Sequence, residues 1–193
     1  MDKNYTVVET SKIAAVRGGG HIYSLIADAD VENGHIGFVG DLAEDVDGLE
    51  THEFLAPSAD LIGKDRPVLV ANPEWDYDET RRTNQALYNY INVAGRVFRA
   101  YDLIAHDMYA VSKEGINTGS DDAAPEIGKY VILEAGKTTV KMVDKAAAVS
   151  QGFYGKIVGS AKRGLGFKTE GGATVGRPYI VYFIEILRND IVA

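Results

Sequence analysis

The sequence predicts a mainly β protein, built of antiparallel strands in small barrel- or sandwich-like subdomains with at most one substantial helix. Three observations carry this. Short runs rich in Val, Ile, Tyr and Phe recur along the chain, bounded by Gly, Asn, Asp or Pro, the composition of strands and turns. An Asn33-Gly34 step lies between two such runs, residues 21–27 and 35–39, and Asn-Gly suits the positive φ angles of a two-residue hairpin turn. Residues 178–187, PYIVYFIEIL, are almost continuously apolar, which suits a central strand buried on both faces or nearly so.

Residues 1–20 read as an N-terminal arm. Residues 1–16 hold few large apolar side chains, and Gly18-Gly19-Gly20 then interrupts the chain. Three glycines carry a high entropic cost of ordering, so they form either a turn into the first strand or a hinge that lets the arm cross to a neighbour. Residues 21–116 read as a β-rich domain. Its strands are the two runs beside Asn33-Gly34, a second pair at 50–55 and 67–71, and further strands at 97–101 and 108–112. Asn72-Pro73 marks a turn. Residues 79–92 are the one credible helix, capped by Asp76 or Asp78, with Leu87, Tyr88 and Ile91 on its apolar edge.

Residues 117–125, NTGSDDAAP, form a polar loop that divides this domain from a C-terminal β subdomain at 126–193. There, strands at 129–133 and 138–143 flank a short Gly136 loop, residues 153–159 form another strand, and a glycine-rich run at 163–176 precedes the apolar strand at 178–187.

The chain has 193 residues, 46% of them hydrophobic, and no cysteine. That length and composition support one medium domain or two small ones with a real core, and they exclude disulfides, thiolate metal sites and a cysteine nucleophile. The first residues do not read as a secretory signal, and no run approaches the roughly 18 apolar residues of a membrane span. The expectation is a soluble chain made in the cytoplasm, with no membrane partner. Net charge is −8, but residues 26–80 hold 15 acidic and 2 basic side chains, and the remainder 13 acidic and 18 basic. The acidic half would repel a phosphate backbone, which argues against a nucleic-acid partner. Acidic and basic territories on one chain suit either plain solvation or head-to-tail docking.

No motif carries chemistry. Residues 28–34 begin like a calcium loop, but the glycine required at the sixth position is Asn33, and the glutamate required at the twelfth is Val39. An acidic turn is the ordinary reading and a weak calcium site the alternative. His21, His35, His52 and His106 have no metal-ligand spacing, so surface or capping roles are expected. The serines lack a nucleophile elbow, Arg17-Gly18-Gly19-Gly20 lacks the end of a phosphate loop, and no carboxylate pair stands out for glycoside hydrolysis. Trp75, Tyr77, Tyr88 and Tyr90 form an aromatic group that reads as core, or as an interface or sugar platform. No catalytic residue, cofactor site or metal site is expected, and the chain reads as non-enzymatic.

Residues 97–116, VFRAYDLIAHDMYAVSKEGI, carry the pattern Asp107, Ala110, Ser112, Gly115, Ile116, followed by the strand at 129–133 and by Gly152, Gly155 and Gly159. With the strand density and the glycine-rich arm, this resembles small β modules of tailed-phage capsid decoration proteins, the cement or auxiliary proteins of the head. The resemblance covers about the last half of the chain and brings no catalytic motif with it. It implies a virion structural protein, made in the host cytoplasm, that binds the outer capsid surface and stabilises or decorates it. The implied partners are the major capsid protein and copies of itself or neighbouring virion proteins. The alternatives are a β-rich receptor- or carbohydrate-binding module of a phage tail or fibre, and a glycan-acting enzyme with an unreadable site.

Overall fold

The computed structural model describes residues 4–44, 46, 50–74, 87–120, 123–164, 167–168, 174–175 and 179–189. The protein is mainly β with predominantly antiparallel pairing, as its composition predicts. Strand β1 (Val8–Lys12) comes first. Five strands then close a small barrel: β2 (Ile22–Ile26), β3 (Ile36–Leu42), β4 (Thr51–Leu55), β5 (Val68–Val70) and β6 (Phe98–Asp102). Their order around it is β2-β4-β3-β5-β6. The rest forms a seven-stranded sheet, in the order β1-β7-β14-β11-β9-β10-β8. Its members are β1, β7 (Met108–Ser112), β8 (Ile116–Asn117), β9 (Tyr130–Ile132), β10 (Val140–Val143), β11 (Phe153–Arg163) and β14 (Tyr179–Asn189). Between β11 and β14, β12 (Phe167–Lys168) pairs with β13 (Thr174–Val175). Among the described residues one α-helical turn forms, α1 (Lys145–Ala148), and it precedes β11.

The two-residue period of a strand explains how barrel and sheet share material. Val68 and Val70 point into the barrel with Leu25, Phe98 and Ala100. Leu69 and Tyr101, one step away, point outward into a second core with Ile36, Phe38, Val111, Ile157 and Ile184. The wall formed by β3, β5 and β6 is thus buried on both sides, which is why Val68-Leu69-Val70 is apolar without alternation. A fully buried side chain of this size contributes about 1.5–3 kcal/mol. Inside the barrel, Phe54 meets Phe98 edge-on at 5.7 Å. Gly37 gives it room, since a Cβ there would lie 2.2 Å from the Phe54 ring.

The structure corrects several expectations. Within the expected arm at 1–20, residues 4–20 do not form a free arm, because β1 pairs with β7, Val8 against Val111, and Val7, Ile13 and Ala15 are buried. The few apolar residues of this segment are the ones that face the core. Gly18 has φ 84° and caps a short 3-10 turn at Ala14–Arg17, so the glycines form a turn. The Asn33-Gly34 hairpin does not exist either. β2 pairs with β4 and β6, and β3 with β4 and β5. Gly34 alone has positive φ, 82°, and His35 N–H donates to Glu32 O, as in a type II turn. The runs at 50–55 and 67–71 are β4 and β5, but β3 lies between them.

Pairing also crosses the expected division into 21–116 and 126–193. β7 and β8, from the first segment, belong to the same sheet as β9, β10, β11 and β14. Of the expected helix at 79–92, residues 79–86 lie outside the described residues, and Leu87–Asn89 is a 3-10 turn. β14 is a central strand, as read, but one face is buried only at Tyr182, Ile184 and Ile186 and the other only in part. The β9–β10 hairpin forms as expected, with Gly136 at φ 77°.

Two outcomes follow from this packing. A Cβ on Gly34 would lie 2.8 Å from both Thr6 and Val111, so Gly34→Ala should destabilise the fold by about 1–3 kcal/mol through overpacking, with the positive φ adding to it. A urea midpoint equal to that of the parent would refute this. Deleting residues 1–17 should unfold the sheet lobe, read as loss of cooperative thermal unfolding. A deletion variant that still melts cooperatively near the parental temperature would show β1 to be dispensable.

Candidate functional site

The barrel and the sheet meet along a polar seam that lies beside two clefts. The seam begins at Glu32, whose placement follows from the turn at Gly34. Its carboxylate is buried, and Oε2 accepts hydrogen bonds from Thr6 N–H at 2.9 Å and Thr6 Oγ1 at 2.8 Å. Ser112 extends the seam by exchanging bonds with Val7: its Oγ accepts from Val7 N–H at 3.1 Å, and its own N–H donates to Val7 O at 2.9 Å. Next to Glu32, the Nε2 of His35 lies 3.8 Å from Oε2, and its Nδ1 lies 2.9 Å from Thr138 Oγ1, on the β9–β10 hairpin. Ile36 N–H donates to Thr138 O at 2.7 Å, so the hairpin is pinned to the barrel at both backbone and side chain.

Glu32, His35 and Thr138 form a common wall between the clefts. One, of about 730 Å³, has a polar lining that includes Lys113, Asn117, Lys137 and Thr139. The other, of about 470 Å³, is more apolar and includes Tyr5, Phe54 and Ile91. Sequence reasoning placed His35 at the surface or in a cap; the structure places it, half-buried, in this wall. It missed the trio because Thr138 is 103 residues from His35, with no local spacing to mark it.

The line of hydroxyl, imidazole and carboxylate departs from a nucleophile, base and orienter in two respects. His35 meets Glu32 at 3.8 Å, beyond hydrogen-bond range, and the facing carboxylate oxygen already accepts two bonds from Thr6. Other cleft groups are also engaged: Asn117 donates to Glu134, and Thr118 to Ser120 O.

A second polar group backs the Gly34 turn. Asn33 Oδ1 accepts from Asn72 N–H and from Asn92 Nδ2, both at 3.0 Å. Asn33 Nδ2 donates to Asn72 O at 2.9 Å, and Tyr90 Oη bridges Asn72 and Asn92. Asn33 is therefore chosen for its amide, which satisfies buried backbone groups. Of the aromatic group, Trp75 and Tyr77 lie outside the described residues, Tyr90 serves this network, and Tyr88 is half-buried. In the expected acidic turn, Asp30 accepts from Ala94 N–H at 2.9 Å. Among the described residues, no three His, Asp or Glu side chains are grouped as a metal would require, and no helix is long and apolar enough to cross a membrane.

A third cluster, on the barrel, joins His21, Tyr23 and His52 by ring contacts of 6.0 and 6.2 Å. Asp102 influences Tyr23, whose hydroxyl is held above its ordinary value chiefly by burial and secondly by that carboxylate. Burial likewise raises the Asp102 carboxyl, while Arg66 and His21 pull it down. His52 Nδ1 lies 3.1 Å from Gly40 O, on the neighbouring strand β3.

No family model matches the chain, and neither a curated protein nor a solved structure matches it.

The raised carboxyl of Asp102 sets a pH dependence. Its folded-state pKa lies above the unfolded value of about 3.9, so the folded form binds the extra proton in the window between the two values. Stability falls as pH rises through that window and stays lower above it. Asp102→Asn should therefore raise the melting temperature at neutral pH, with the gain shrinking in acid. A variant destabilised at neutral pH and less so in acid would show instead that the ionised carboxylate is needed.

Proposed function

We propose that this chain is a non-enzymatic virion structural protein that binds the outer surface of a tailed-phage capsid and stabilises or decorates it. The observation that supports it best is the ribbon of β11 and β14. Each strand has eleven residues, but β7 covers β14 only from Val181 to Glu185, and β9 covers β11 only from Tyr154 to Lys156. From Val158 onward the outer edge of β11 therefore has no described strand partner. An open backbone edge suits docking onto another protein surface, and repetition over a symmetric lattice amplifies a modest single-site affinity. The engagement of the Glu32 carboxylate by Thr6, which joins the two lobes, supports the non-enzymatic part, and Asn117 and Thr118 are likewise engaged in bonds within the sheet lobe.

A second reading, a receptor- or carbohydrate-binding module of a tail or fibre, draws on the adjoining clefts, one hydroxyl-rich and one carrying Tyr5 and Phe54. Co-sedimentation separates the two. Purified protein should pellet with capsids lacking it and saturate at a fixed ratio to the capsid subunit. Absence of capsid binding together with retention on a glycan array would favour the second reading. Turnover of a glycan or ester that Thr138→Ala abolishes would end the non-enzymatic one.

A further inference from the structure

We infer that copies of this chain associate head to tail, the β3–β4 hairpin of one copy seating on the β11–β14 ribbon of the next. The inference builds on the docking role proposed for the ribbon and names the surface that meets it. Each of the two surfaces has the parts of an interface, an exposed apolar centre with charge around it, and the signs are opposite.

On the barrel, β3 starts at the seam, where Ile36 N–H meets Thr138 O. It then runs seven residues away from it, about 20 Å at strand rise. At its far end Leu42 is 59% exposed, the most open large apolar side chain among the described residues of the barrel. Residues 41–53 hold six carboxylates and no lysine or arginine. Of these, Asp41, Glu44, Glu50 and Glu53 are exposed.

On the ribbon, β11 and β14 together hold four basic side chains and one acidic. Beyond the last partner on β9, Val158 sits at a bulge in β11, 38% exposed, and Ile180 on β14 is 49% exposed. Lys162 is exposed and pairs across the ribbon with Ile180. Arg163 is already held by Glu9, at 2.6 and 2.9 Å, so among the described residues of the ribbon end Lys162 is the exposed charge. From Val158 onward, no described strand pairs with the outer edge of β11.

The hairpin and the ribbon do not pair with each other within the chain, and they are unlike surfaces. Their contact is therefore heterologous, and it repeats from copy to copy. Exposed opposite charges contribute little each. Leu42 packing against Ile180 and Val158 supplies the apolar part, and the charges set orientation and salt dependence.

The test is sedimentation velocity of the whole protein without capsids, over a concentration series at low and high salt. Wild type should associate at low salt and dissociate at high salt. Lys162→Glu, Leu42→Ser and the double variant Glu44→Lys/Glu50→Lys should each sediment as monomers while keeping the parental circular dichroism spectrum. An equimolar mixture of Lys162→Glu with Glu44→Lys/Glu50→Lys should associate again, because each then presents the sign the other needs. Wild type that stays monomeric at low salt, association that Lys162→Glu leaves unchanged, or a mixture that stays monomeric would each overturn the inference. Capsids are absent, so failure here leaves the co-sedimentation result standing, and failure of co-sedimentation leaves this one standing.

Discussion

The structure depends on one crowded point, where Thr6, Gly34, Val111 and Gly115 converge. A Cβ on Gly34 would lie 2.8 Å from Thr6 and Val111, and one on Gly115 would lie 2.5 Å from Val111 and 2.8 Å from Thr6. Two missing side chains thus let the barrel's turn and the 3-10 turn Lys113–Gly115 close on the segment leading into β1. The approach puts the Glu32 carboxylate within reach of both donors of Thr6 and aligns Val7 with Ser112. A buried carboxylate without such donors would cost several kcal/mol. The sterics of two glycines and the desolvation of one acid therefore fix how barrel and sheet are joined, and the clefts on either side of Glu32 exist because of that join.

From this join the remaining architecture follows by alternation. β3, β5 and β6 each send one set of side chains into the barrel and the other into the core shared with the sheet. Neither lobe closes its hydrophobic surface alone. The outer side of the sheet is tied separately by the Glu9–Arg163 pair, with the guanidinium 6.0 Å from the Phe183 ring. The clasp holds the last residue of β11 from the side of β1, while the opposite edge of β11 is without a described strand partner from Val158 onward.

Most strands were legible in the sequence, and their partners were not. Val68-Leu69-Val70, the run Met108–Ser112 and the run ending in Ile186 each carry enough β-branched and aromatic content to be placed locally. Pairing is a long-range property, and Asn33-Gly34 shows how a strong local signal misleads. Gly34 does adopt the positive φ that the dipeptide suggests, but Asn33 is there for its amide contacts with Asn72 and Asn92. The segment before Gly18 was misread because only Val7, Val8, Ile13 and Ala15 face inward, too sparse a pattern to register as a strand and turn. His35 and Thr138 were invisible as a pair for the same reason as β1 and β7, since nothing local records a contact across a hundred residues.

The clasp between Glu9 and Arg163 joins residues 154 positions apart, and Val7 meets Ser112 across 105. Non-local contacts of this kind are slow to form, because each closes a long loop before any compensating contact exists. During synthesis at about 5–20 residues per second, β1 leaves the ribosome several seconds before its partner β7, and longer before the ribbon that locks it. The barrel strands lie between these partners and can pair sooner, but their outward residues Ile36, Leu69 and Tyr101 stay uncovered until the sheet arrives. Folding of this chain is therefore expected to pass through an interval in which the barrel is formed and half of the shared core is bare. In that interval crowding by other nascent copies favours aggregation over assembly.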